Sequence, residues 1–309
     1  MQKKIITLMG PTATGKTDLA IQLAQAFPIE IISVDSALVY RDMDIGTAKP
    51  AQEILQKIPH YLINIISPET NYSVAAFLND AKQAIQDIQS RGKVPILVGG
   101  TMLYFKALME GLADIPPVPE AVRTRLKENL AQEGLVPLYQ RLTIVDPVSA
   151  ARIHANDAQR ILRALEVYES SGKTLSAWIE AGQRQHDLGE ILQISLMPED
   201  RAYLHQVLAA RFHSMLDAGF VKELEMLKQK YHLHADLSSM RCVGYRQVWQ
   251  YLANEITYQE MVDQGIAASR QLAKRQMTWL RSWQGQHIIP AYQAQTLSMT
   301  QKILLAFLG

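Results

Sequence analysis

The sequence predicts an α/β fold in which a parallel sheet core carries an inserted all-helical domain, and three observations support this. An apolar run at Lys3–Met9 leads into Gly10-Pro11-Thr12-Ala13-Thr14-Gly15-Lys16-Thr17, which fits G-x-x-x-x-G-K-[ST], with a helix-forming stretch at Lys16–Ala26 behind it. A second apolar run, Glu30–Asp35, follows, so strand, glycine loop, helix and strand succeed one another as they do in a parallel sheet. The texture then changes at ADIPPVPEA, and from about Glu120 to His186 the segments read as helical, with no convincing strand. The core is therefore expected to be P-loop NTPase-like, built from 1–113 and 190–290, with a helical insertion over 114–189 and a C-terminal tail over 291–309.

The remaining elements follow from pattern. His60–Ile66 is read as a further strand. Ser73 is a candidate N-cap, after which Val74, Phe77, Leu78, Ala81, Ile85 and Ile88 recur at helical spacing until Gly92 ends the helix. Pro95–Val98 forms a short strand running into Gly99-Gly100-Thr101, and Ile191–Met197 returns to the sheet. Helices are expected from there to Trp283, His287–Pro290 as an edge strand, and KILLAFLG as a terminal helix on the core.

Composition narrows the function. The 309 residues are 48% hydrophobic and 20% charged, a globular balance able to bury a substantial core. With 31 Lys and Arg against 30 Asp and Glu, any nucleic-acid footprint must be local. The single cysteine, Cys242, excludes an internal disulfide and, with scattered histidines, gives no zinc spacing. No apolar stretch approaches the roughly 20 residues that cross a bilayer, and the start lacks a signal-peptide pattern, so a cytoplasmic protein without membrane association is expected. No oligomerisation heptad is visible, which makes a monomer the default.

The glycine loop is a phosphate site: its backbone N–H groups converge on phosphate oxygens, the helix N-terminus adds positive potential, Lys16 adds a charge, and Thr17 is placed to hold Mg²⁺. It does not say which phosphate ester is bound. Asp35 is the one obvious strand-end carboxylate, since ILVGGT offers none. It could position Mg²⁺, take a proton from a nucleophile, or cap a turn.

Basic residues cluster locally. At 100° per residue Arg270, Lys274 and Arg281 fall within about 40° of one another, with Leu272, Trp279 and Trp283 on the far side. In NDAQRILRALEV, Arg160 and Arg163 share a stripe and could grip phosphates or meet Glu166 and Glu169 in surface pairs. Arg123 and Arg125, two apart on a helix, point apart. Arg241-Cys242-Val243-Gly244-Tyr245-Arg246 sets two arginines and an aromatic around a glycine, and Cys242 alone reads as a packed small hydrophobe.

Taken together, GPTATGKT, DSALVYRDMDIGTAKP, HYLI, YSVAAF, PILVGGTMLY, NDAQRILRALEV, RCVGYRQ and AKRQMTWLR closely resemble the bacterial tRNA dimethylallyltransferases, the tRNA isopentenyltransferases of the IPP transferase family, in family order from residue 10 to residue 283. DSALVY departs from the family's DSMQVY, and Met102 stands where glycine is common; neither change removes a polar group from the presumed chemistry, though the first is expected to alter a local base contact. The resemblance implies transfer of a dimethylallyl group from dimethylallyl diphosphate to N6 of the adenosine 3′ to the anticodon, giving N6-dimethylallyladenosine and diphosphate.

It also implies roles: Asp35 as general base, Thr101 as a hydrogen-bonding group in the reaction channel, and Gly10–Thr17 with Arg211 on the diphosphate, assisted by Mg²⁺ on Thr17. The segments Asp35-Ser36-Ala37-Leu38, Gln159-Arg160-Ile161-Leu162-Arg163 and Arg241–Arg246 match the family's tRNA-contacting stretches, and Arg123 borders that site. The substrate adenosine is expected to be flipped from its stack, with the insertion gripping the anticodon stem. Two alternatives stand beside this reading: an ATP-dependent small-molecule kinase with the insertion as lid, and a non-enzymatic nucleotide-gated RNA-binding module with Asp35 only a cap.

Overall fold

The computed structural model describes residues 3–182 and 188–309. In chain order the elements are β1 (Lys4–Met9), α1 (Lys16–Ala26), β2 (Ile29–Val34), α2 (Gln52–Lys57), β3 (His60–Tyr61), α3 (Val74–Ser90), β4 (Val94–Gly99), α4 (Met102–Glu110), α5 (Glu120–Glu133), α6 (Leu135–Val145), α7 (Pro147–Ala150), α8 (Ala158–Ser171), α9 (Leu175–Glu180), β5 (Glu190–Met197), α10 (Arg201–Asp217), α11 (Phe220–Lys230), α12 (Tyr245–Leu252), α13 (Tyr258–Ser282), β6 (His287–Pro290) and α14 (Thr296–Leu308).

The strands form one sheet in the order β3-β2-β4-β1-β5-β6, and every pairing is parallel. All six residues of β2 are buried, as are the last five of β1 and of β4, which is the pattern of central strands covered on both faces. β3 is shorter than the strand expected at His60–Ile66. Leu62 and Asn64 take φ of 64° and 59°, which turns the chain out of extended geometry and leaves only an isolated bridge between Tyr40 and Ile66. α3 begins where Ser73 Oγ accepts the Ala76 N–H and ends before Gly92, at φ 72°.

Two compact units result: Met1–Ala107 with Asp187–Gly309, and Leu108–His186. α4 continues unbroken across residues 107 and 108, so the prolines at 116–119 follow the boundary instead of marking it. Residues 183–187 of the expected insertion lie outside the described residues. In the first unit one core joins the sheet to its helices through Ile6, Leu8, Leu23, Ile96 and Ile194. α14 contributes Leu304 to that core, so the last segment is part of this unit and not a free tail. A second core packs Tyr40 and Met43 against Phe212, Phe220, Tyr245 and Met261 of the late helices.

The other unit is helical throughout its described elements, as expected, and closes over Leu126, Leu138, Leu142, Ile161 and Leu165. Within it, Asp146 is 2% exposed and accepts the N–H and O–H of both Ser149 and Ser176. Burial alone would raise its carboxyl, but these hydrogen bonds outweigh that and hold it below the usual carboxylate range. No described helix is long and apolar enough to cross a membrane.

Candidate active site

The site is set by where three strands stop. Gly99 ends β4 and pairs with Val34 on one side and Met9 on the other. The residues that follow, Asp35 after β2, Gly100-Thr101 after β4 and Gly10 after β1, therefore leave the sheet along one edge. Contact there is close: a Cβ on Gly99 would lie 2.0 Å from the Val34 carbonyl oxygen, and one on Gly100 would lie 2.3 Å from Gln276 Nε2.

The phosphate loop is folded by its own hydrogen bonds. Thr14 Oγ1 donates to the Pro11 carbonyl at 2.8 Å, and Lys16 Nζ donates to the same oxygen. Ala13 and Gly15 take φ of 67° and 79°. No side chain caps α1, which leaves its leading N–H groups open to an anion. Two residues that sequence reasoning missed hold the loop from outside. Tyr292 donates to the Ala13 carbonyl at 2.8 Å. Gln276 of α13 accepts the Thr12 N–H at 2.9 Å and donates to the Gly100 carbonyl at 2.9 Å. Gln276 could have been found, because it falls on the stripe Ala273, Gln276, Met277, Leu280, and a glutamine in a buried helical stripe must have partners.

The two oxygens of Asp35 differ in their surroundings. Oδ1 accepts the N–H groups of Ala37 at 2.8 Å and Leu38 at 3.3 Å, so the turn cap is real. Oδ2 has no hydrogen-bond partner among the described residues and is available to a proton. Thr101 Oγ1 accepts the Ser36 N–H at 3.1 Å, which joins the two strand ends and leaves the hydroxyl proton free to donate.

These groups border a cavity of about 480 Å³ whose lining includes Thr12, Asp35, Thr101, Arg211, Cys242 and Gln276. Its charges are poorly neutralised. Arg211 of α10 has no hydrogen bond or ion pair among the described residues; burial lowers its pKa, while Asp35 and then Asp18 hold it up. Lys16 is pushed down to about 7, first by burial, next by the like charge of Arg211, with Asp35 opposing. The Cys242 thiol goes the other way, to about 12, through burial and the charge of Asp35, so it stays protonated and acts as the packed small side chain expected. For a metal, the described residues contain no group of three or more His, Cys, Asp and Glu side chains suited to hold one. The exposed Thr17 in the first turn of α1 suits an ion shared with phosphate oxygens, the usual mode of Mg²⁺.

Other expected residues divide by exposure. Ser36 and Ala37 line the cavity, as do Arg241 and Val243, and Arg246 is exposed at the start of α12. Tyr245 does not fit a direct RNA contact: it is fully buried and donates to Glu223. Gly244 is likewise buried, and a Cβ there would lie 2.9 Å from Phe220. On α13, Arg270, Lys274 and Arg281 are exposed. Leu272 and Trp279, expected on an apolar far side, border the cavity together with Arg275.

In the helical unit Ile161 is 0% exposed within the core and Leu162 packs against it, so Ile161 is a core residue and not a contact surface. Gln159, Arg160 and Arg163 lie outside that core, with Arg160 near Asp157 at 3.4 Å and Arg163 near Glu166 at 3.6 Å. Arg123 meets Glu120 at 3.5 Å, while Arg125 and Arg141 converge on Glu169.

Comparison with known proteins adds family to geometry. The IPP transferase family model matches residues 38–283, a stretch that holds Thr101, Arg211, Gln276 and RCVGYRQ. A tRNA dimethylallyltransferase of Legionella pneumophila (strain Corby) is 53% identical over 285 residues, 92% of this chain and 91% of its own length. The solved tRNA isopentenylpyrophosphate transferase of Bacillus halodurans aligns with 99% of this chain and 96% of its own, at 32% identity and a TM-score of 0.71. A solved eukaryotic dimethylallyltransferase acting on tRNA aligns with 98% of this chain and 78% of its own, at 28% identity and a TM-score of 0.78.

Two outcomes follow from the geometry. Gln276→Leu strands the Thr12 N–H and the Gly100 carbonyl, at about 1–3 kcal/mol each, and is expected to weaken inorganic diphosphate binding about tenfold by calorimetry. Lys16 adds a pH dependence. With its free-site pKa near 7 and the charged form favoured by an anion, its contribution to diphosphate affinity is complete below pH 7. It falls by up to about tenfold per unit as pH rises above that. Calorimetry over that range is expected to give a steeper decline for the natural chain than for Lys16→Arg.

Proposed function

The chain belongs to the IPP transferase family, and on that premise we propose that it transfers a dimethylallyl group from dimethylallyl diphosphate to N6 of the adenosine 3′ to the anticodon of tRNA. The observation that carries this reading is the unpartnered Asp35 Oδ2 in one cavity with the unpaired Arg211 guanidinium. A base and an anion receptor lie on one substrate-sized space, as the reaction requires.

The donor's diphosphate sits on the loop Gly10–Thr17, with Lys16 and Arg211 beside it. N6 attacks the donor's C1 as the C1–O bond breaks. The exocyclic amine is a weak nucleophile because its lone pair is delocalised into the ring, so loss of its proton to Asp35 Oδ2 as the C–N bond forms lowers the barrier. The bond electrons leave with the diphosphate, whose growing charge meets Lys16, Arg211 and the N–H groups at the start of α1. Thr101 can donate a hydrogen bond across the channel while its oxygen holds Ser36 in place. Thr17 would help hold Mg²⁺, which would supply further charge neutralisation.

An adenine reaching a cavity at the end of a sheet has to leave its stack, so the substrate nucleotide is flipped. RNA contact falls to Ser36, Ala37, Leu38, Arg241, Val243 and Arg246, with Arg270, Lys274 and Arg281 on α13 meeting phosphates. In the helical unit the same role falls to Gln159, Arg160, Arg163 and Arg123, gripping the anticodon stem. The kinase alternative lacks support at the strand ends, because β4 ends in Gly99-Gly100-Thr101 with no second carboxylate for the metal. The binding-module alternative leaves Asp35 Oδ2 without a task.

Mass spectrometry of an anticodon stem-loop incubated with enzyme, Mg²⁺ and dimethylallyl diphosphate tests the reading. A dimethylallyl mass gain on the adenosine is expected, with Asp35→Ala slower by about 10²–10⁴-fold while still binding RNA. No gain from folded enzyme that binds the stem-loop would overturn it.

A further inference from the structure

The segment Asp44–Lys49 has no regular secondary structure, yet it walls the site on two sides. Gly46 and Thr47 line the cavity that holds Asp35 and Thr101. Asp44, Ile45, Ala48 and Lys49 line an adjoining cavity of about 390 Å³. Arg211 borders both. The placement of this segment therefore sets the gap it leaves against the one guanidinium that faces both spaces.

The segment is held from behind by a single buried carboxylate. Glu223, on α11, is 4% exposed. Its Oε2 accepts the N–H groups of Asp44 at 2.9 Å and Ile45 at 2.6 Å, and its Oε1 accepts the Gly46 N–H at 3.1 Å and the Tyr245 O–H at 2.6 Å. Three consecutive backbone donors and a phenol thus converge on one acid, with no ion-pair partner among the described residues. A glutamine, with a single acceptor oxygen, cannot accept all four bonds.

The fit leaves no slack. A Cβ on Gly46 would lie 2.1 Å from Phe220 and 2.7 Å from Tyr245, so the backbone is pressed onto the two rings beside the carboxylate. From inside, Lys49, its side chain 2% exposed, donates to the Tyr40 carbonyl at 2.9 Å, to Asp44 Oδ1 at 2.6 Å and to Asn64 Oδ1 at 2.5 Å. This lysine is a strut and not a free cation for the substrate. The side chains fixing the wall all lie behind or within it, which leaves its other face to the ligand.

We propose that Glu223 is a positioning residue for the transfer reaction: by anchoring the N–H groups of Asp44, Ile45 and Gly46 it fixes the wall opposite Arg211 and so sets how the prenyl diphosphate is seated. The inference rests on the prenyl-transfer reading and concerns the donor side alone. Glu223→Gln keeps the shape but replaces one acceptor oxygen with an NH₂ that faces donors. It is expected to raise the KM for dimethylallyl diphosphate about tenfold or more per folded molecule, and to weaken inorganic diphosphate binding similarly. The Kd for the anticodon stem-loop should stay within about twofold, because the residues assigned to RNA contact lie outside the Asp44–Lys49 segment.

Glu223→Asp keeps the charge and is expected to fall between the two. If Glu223→Gln does not fold, folded Glu223→Asp decides the matter, with an expected rise in KM of about threefold. A KM and diphosphate affinity within twofold of the natural chain, or an equal loss of stem-loop affinity, would overturn the proposal. Diphosphate binding does not depend on transfer. A wild type that binds diphosphate but forms no product would therefore refute the prenyl-transfer reading, while the variant's diphosphate affinity would still decide the role of Glu223.

Discussion

The hydrogen-bonded register of β2, β4 and β1, in which Val34 and Met9 both stand level with Gly99, is the constraint on which the site depends. Because the three strands are parallel and stop together, a carboxylate, a threonine hydroxyl and a phosphate loop emerge along one edge with no long loop to place them. Gly99 and Gly100 make this possible, since side chains there would drive β2 or α13 away. Gln276 then locks the loop after β1 to the turn after β4 by bonding to both. Glu223 supplies a comparable anchor for the wall that faces Arg211.

Electrostatics adds a second constraint at this edge. Several arginines elsewhere are ion-paired: Arg91 meets Glu30 and Asp87, and Arg125 and Arg141 share Glu169. Lys16 and the cavity-lining Arg211 each feel the same Asp35, and neither has an ion-pair partner among the described residues. Leaving two partly desolvated cations without an anion costs stability, and an arriving diphosphate recovers that cost. Since Asp35 Oδ1 is committed to the turn, the carboxylate keeps a fixed orientation while its other oxygen stays available. In the proposed reaction, position and reactivity are thus divided between two atoms of one side chain.

Much of this was legible in the sequence because the governing signals are local. G-x-x-x-x-G-K-[ST] between a strand and a helix fixed the phosphate loop, and apolar runs located the six strands to within a residue or two, apart from β3. β3 failed because positive φ at Leu62 and Asn64 ends it early, and Leu62, the first of them, carries no turn signal. The prolines at 116–119 misplaced the boundary of the helical unit because α4 extends past residue 107 before them. Ile161 and Tyr245 were grouped with RNA contacts because a motif carries its buried members along with its exposed ones. Gln276, Tyr292 and Glu223 act over long sequence separations, and pattern reasoning has no reach there. Only Gln276 and Glu223 are marked even faintly, each as a polar residue in a buried helical stripe.

The division of labour within Asp35 can be tested by changing one of its oxygens. Asp35→Asn retains Oδ1 as acceptor for Ala37 and Leu38 and replaces the free oxygen with an NH₂ that cannot take a proton. Single-turnover transfer to an anticodon stem-loop should fall by about 10²–10⁴-fold, with stem-loop affinity unchanged. A rate within a few-fold of the natural chain would show that the carboxylate only caps its turn, and that the N6 proton leaves by another route.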